Sequence, residues 1–143
     1  MTTSPTSHIP MAVPPWPRPA WAGALPPHVQ SLLEDVYSLV DKGQSALAMA
    51  GLRILVEQVV RDGVGSSGNM RARLDQLHTR GFISTHDRGR LEAVVDHGNM
   101  AVHQGVSVGG EELRHLLMCV EHVLLGHFVL RRPPPQLPSA GKS

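Results

Sequence analysis

The stretch from Ser45 to Arg61 constrains this chain more than any other, because its apolar residues leave almost no wet face on a helix. Leu47, Ala50, Leu52, Ile54, Leu55, Val56, Val59 and Val60 fall around the whole helical circumference. A helix that is apolar all round belongs at the centre of a bundle, wrapped by other elements. Two Phe, two Trp and one Tyr are the only large aromatics in the chain, so the rest of the core must come from Leu, Val, Ala and Met. That composition favours helices over a β-sandwich, whose core would be rich in aromatic and β-branched residues.

Around this central segment the punctuation of the chain predicts an all-α bundle of about five helices. The first spans 27–42, opened by Pro27, carrying Val29, Leu32, Leu33, Val36, Leu39 and Val40 as its apolar stripe and closed by Gly43. The second is 45–61. Asn69 caps a third over 69–79, and Gly81 breaks it before Phe82 and Ile83 pack the turn. Ser84 caps a fourth, which the Gly98-Asn99 pair is expected to stop near His97, since both residues tolerate the left-handed conformation that ends helices. The fifth runs over 111–131, with acids at its start and Arg131-Arg132 at its end, both suited to the helix dipole. Residues 25–132 thus form one helical domain, long enough to bury roughly two-thirds of its unfolded surface.

Two proline-rich tails flank it, 1–24 and 133–143, and both are expected to be disordered because repeated proline removes backbone donors and enforces extended chain. Trp16 and Trp21 stand out in the first, as large apolar rings in a tail often dock on the domain or on a neighbour.

Candidate chemistry is confined to a few polar residues in this apolar setting. Arg53, Glu57 and Arg61 are four apart and share one helix face. Because the helix is otherwise apolar, Arg53 and Glu57 are expected to be at least half buried, where charges need partners. His103, just past the expected helix stop, can be held by backbone and side chain at once. Two accounts follow. In one, Arg53 and Glu57 form a structural ion pair that also ties down a loop; in the other, Arg53, Glu57, Asn99 and His103 line a polar site, with His103 as general acid or base and Arg53 stabilising a phosphate. His97 and His103 with Glu57 make too thin a ligand set for a metal, and no cofactor is implied. The remaining histidines of the last helix, His115, His122 and His127, are expected on its surface or at an interface. Cys119 lies in an apolar run and reads as core. No Gly-rich phosphate loop, Ser-His-Asp set or paired cysteine motif is present. A formal charge of +1 gives no electrostatic case for strong nucleic-acid binding. Neither a basic start followed by an apolar run nor an eighteen-residue apolar stretch occurs, so the expectation is a cytoplasmic protein without membrane attachment.

Several of these segments, in order, resemble domain-of-unknown-function family 4145, a branch of the HEPN-like helical superfamily. They are Leu25-Pro26-Pro27, the run Ala50 to Glu57, the turn Leu77 to Ser84 with Gly81-Phe82-Ile83, and Gly98-Asn99-Met100-Ala101-Val102-His103. The resemblance covers nearly all of 25–130. It implies a compact helical domain, often a homodimer, found in bacteria alone or fused to defence proteins. In active HEPN ribonucleases an Arg shortly before a His pairs with its dimer mate to cleave RNA without metal. The His of that motif carries over onto His103. The Arg does not: Val95-Asp96-His97-Gly98 holds no arginine, and Asp96 would repel a phosphate. The bare spacing recurs at Arg73 to His78 and Arg80 to His86, on a different part of the chain, where chance accounts for it.

The expected function is therefore a non-catalytic binding or assembly module, in a phage-defence or toxin–antitoxin setting, with a protein partner. One alternative is a metal-independent endoribonuclease in which Arg53 or His97 replaces the missing arginine. Another is a nucleotide- or phosphate-binding domain.

Overall fold

A computed structural model describes residues 14–131. A short 3-10 helix, Ala20–Ala24, leads into α1 (Pro27–Asp41), α2 (Ser45–Val64), α3 (Met70–Thr79), α4 (Thr85–Gln104) and α5 (Gly110–Leu124). The last continues as a π-helical turn, Leu125–Leu130. No strand occurs among the described residues, and the five-helix, all-α architecture is the one that the apolar patterning predicts.

Helix starts follow the capping chemistry. Pro27 occupies the first turn of α1. The Asn69 side chain accepts from the Ala72 N–H at 2.8 Å, and Ser84 Oγ accepts from the Asp87 N–H at 3.0 Å. Each such cap contributes about 1 kcal/mol. At the centre, α2 packs against all four other helices and buries Ala48, Met49, Leu52, Leu55, Val56, Val59 and Val60. It is not wrapped completely. Leu47 is 58% exposed and Ile54 38% exposed, so a strip of α2 faces outward.

Two glycines set how closely α2 meets its neighbours. A Cβ on Gly51 would lie 2.6 Å from Val36 Cγ2 on α1. A Cβ on Gly98 would lie 2.6 Å from Arg53 Cβ and 3.2 Å from the Met49 carbonyl oxygen. Gly98 is therefore a contact point between α4 and α2 rather than a helix stop. The fourth helix does not end near His97 but runs on to Gln104, and Gly105 terminates it with φ +68° and its N–H on the Ala101 carbonyl. Packing decides the matter: helical backbone at Gly98 gains an apolar partner surface on α2 that a turn would forfeit.

The N-terminal segment also departs from expectation. Of the residues assigned to a disordered tail, 14–24 lie against the bundle, with Trp16 and Trp21 partly buried on the core. Residues 1–13 and the second expected tail, 133–143, fall outside the described residues. Counted with its π-turn, Gly110–Leu130 is long and apolar enough by composition to cross a membrane, but half of it is buried in the bundle as a core helix.

Candidate functional site

Arg53 leaves α2 beside Gly98, and its Nη2 lies 3.2 Å from Glu57 Oε1, one turn further along the same helix. The two side chains keep 30% and 28% of their surface, so the pair is partly buried, as its apolar surroundings predict. Arg53 Nε is buried without an acceptor among the described residues. Arg61, the third charge of the ladder, is exposed and takes no part. The geometry is that of a tie: the arginine stem covers Gly98 while its head is held by Glu57.

Asn99 and His103 do not join that pair. No hydrogen bond links either of them to Arg53 or Glu57, and His103 is exposed on the last turn of α4 with no hydrogen-bond partner among the described residues. The cause is the continued helix. Successive residues project about 100° apart, so Gly98 meets Arg53 while Asn99 turns toward α3. There it lines an open cleft of about 300 Å³ with Asn69, Arg71, Glu92 and Asp96, spanned by an Arg71–Glu92 ion pair at 3.2 Å. The four-residue site expected from the sequence is thus divided between two faces of α4. His97 sits on a third, its Nε2 3.4 Å from Glu112 Oε1 on α5. No three His, Cys, Asp or Glu side chains converge as a metal set among the described residues.

A better-connected polar cluster joins the N-terminal segment to α1 and α5. The Tyr37 hydroxyl donates to Glu121 Oε2 at 2.5 Å, and the Trp16 indole N–H donates to the same oxygen at 3.0 Å. The Trp16 backbone N–H donates to Asp41 Oδ1 at 2.7 Å. Arg18 pairs with Glu34 and Asp41 at 3.0 and 3.1 Å, donates to the Trp16 carbonyl, and lies 4.7 Å over the Tyr37 ring. Burial, reinforced by the hydrogen bond and negative charge of Glu121, pushes the Tyr37 hydroxyl well above its ordinary range, so it stays a donor. The two tryptophans were the sequence signal for this cluster. Tyr37 and Glu121 gave none, since each reads as one more position on an amphipathic helix.

His127 corrects the expectation for the last helix. Rather than facing solvent, it is buried, with Nε2 2.7 Å from Asp62 Oδ2 at the end of α2. Its ring meets Phe128 and Phe82 edge-on, at 4.7 and 6.2 Å between centroids. His115 and His122 are exposed as expected. Cys119 is buried, and burial pushes its thiol upward in pKa, away from thiolate reactivity.

A family model described as a domain of unknown function, DUF4145, matches residues 25–137. The chain belongs to this family. The matched region holds all five helices, whereas Trp16, Arg18 and Trp21 precede it. No curated protein and no solved structure matches the chain.

Proposed function

We propose that this chain is a non-catalytic binding and assembly module of HEPN-like architecture that works as a homodimer in the cytoplasm, in a defence or toxin–antitoxin setting. The observation that carries the reading is the set of exposed apolar side chains near one end of the α2–α4 pair. Gly98 of α4 abuts Met49 and Arg53 in the first half of α2, so the end of α4 lies beside the start of α2. Leu47 on α2 and Met100, Val102 and Val106 on and after α4 are all at least 41% exposed there. Large apolar side chains left exposed on neighbouring helices are candidates for burial by association. The tie between Arg53 and Glu57 supports the same reading, because it is used within the fold and offers no reacting group.

Light scattering on the purified chain tests this, run beside a Leu47→Asp/Val102→Asp double variant. A wild-type dimer and a folded monomeric variant are expected. RNA cleavage in EDTA is measured on the same samples beside His103→Ala. Cleavage by wild type and not by His103→Ala would replace the proposal with the endoribonuclease reading.

A further inference from the structure

The docked N-terminal segment leaves an open cleft of about 570 Å³ between itself and α5. Trp16, Trp21, Met118 and Leu125 make its walls almost wholly apolar, with the Glu121 carboxylate among them and His122 at the rim. Glu121 is the unusual member. Its Oε2 accepts from both Tyr37 and Trp16, yet among the described residues its Oε1 has no hydrogen bond and no Lys or Arg pairs with it. Arg18, the nearest guanidinium in the cluster, is already shared between Glu34 and Asp41. With Oε2 held by two neutral donors, the Glu121 carboxylate lines the cleft without a cationic partner among the described residues. Indole rings are the strongest aromatic partners for cations, and an apolar wall suits a cation whose charge is sheathed in carbon.

We propose that this cleft binds a small organic cation with an alkylated ammonium head, held between the two indoles and Glu121. Charge complementarity selects the class: an inorganic cation would find too few oxygen ligands, and a neutral apolar molecule would leave Glu121 uncompensated. The inference is independent of the dimer reading, since it uses different elements, the N-terminal segment and α5.

The test uses the full chain and its own fluorescence, because Trp16 and Trp21 are the only tryptophans. Tetramethylammonium chloride is titrated at pH 8, where ordinary histidines are neutral, against sodium chloride of equal ionic strength and tert-butanol as a neutral probe of similar size. A saturable emission change with tetramethylammonium alone is expected. Glu121→Gln keeps an acceptor for Tyr37 and Trp16 but removes the charge, and should bind about tenfold more weakly. Met118→Lys provides a second check at an exposed position that the fold does not need, and should also weaken binding. A peptide carrying trimethyl-lysine, titrated in parallel, separates a protein-borne head group from a free one. Peptide binding without tetramethylammonium binding overturns the proposal. So does an equal response to tert-butanol, or unchanged affinity in both variants.

Discussion

Replacing Gly98 with alanine pits two effects of known size against each other at one position. In a helix interior, Gly to Ala ordinarily stabilises by about 0.8–1 kcal/mol, through helix propensity and lower unfolded-state entropy. Gly89 lies in the same helix with nothing within 4 Å of where its Cβ would stand, so Gly89→Ala should realise that gain. At Gly98 the added methyl would sit 2.6 Å from Arg53 Cβ and 3.1 Å from Arg53 Cδ, with the Met49 carbonyl behind. A Cβ and a backbone oxygen cannot swing aside as a side-chain tip can, so α4 must move off α2. Overpacking of this kind costs about 1–3 kcal/mol. Displacing the Arg53 stem also loosens its pair with Glu57, worth a few tenths more. Gly98→Ala should therefore come out about 1–2 kcal/mol less stable than wild type, and the two variants should differ by about 2–3 kcal/mol. Urea unfolding followed by circular dichroism resolves such a gap, which corresponds to a separation in Tm of roughly 6–15 °C for a domain of this size. If Gly98→Ala proves as stabilising as Gly89→Ala, the helices are not in contact there, and the account of why α4 continues past His97 fails.

Three further outcomes can be checked with equal economy. Tyr37 is the only tyrosine, so its ultraviolet titration is unambiguous. Its hydroxyl should ionise above the ordinary value of 10.0. Because the folded value is raised, the stability it contributes is complete below that pH and is lost as the pH rises beyond it, so phenolate formation should accompany alkaline unfolding; ionisation near 10 in the folded chain would contradict this. Cys119 should react with a disulfide reagent at pH 8 only as fast as the bundle opens, and reaction should quicken in step with added urea. His127→Ala should lower stability by about 2–4 kcal/mol, through lost packing against two phenylalanines and a lost hydrogen bond to Asp62, whereas the exposed His122→Ala should change it by under about 0.5 kcal/mol.

Much of the helical layout was readable because local chemistry and tertiary structure agree. Asn69 and Ser84 cap where a short polar side chain is expected to, and Pro27 opens α1 for the same local reason. The end of α4 was not readable, because a glycine followed by asparagine has the same composition whether it stops a helix or admits a neighbour. Only the position of Arg53 and Met49 across the interface decides between them, and that is a tertiary fact. The same misplacement divided the candidate site: with a turn at Gly98, Asn99 and His103 would have been free to fold back toward Arg53. His127 was hidden for a different reason. On a regular helix it is one of three histidines along an apolar stretch, and nothing local marks the one that meets Asp62 some sixty-five residues earlier.

The bond from Trp16 to Glu121 spans 105 residues of sequence, nearly the whole described chain. During synthesis the segment holding Trp16 emerges well before α5, which carries Glu121, the acceptor for its indole N–H. Helices α1 to α4 can begin to pair while the segment has only its partners on α1, Glu34, Tyr37 and Asp41, since the long-range closure onto α5 comes late. The indole bond of Trp16 thus reports that α5 is in place: a chain stopped before α5 has no Glu121 to receive it.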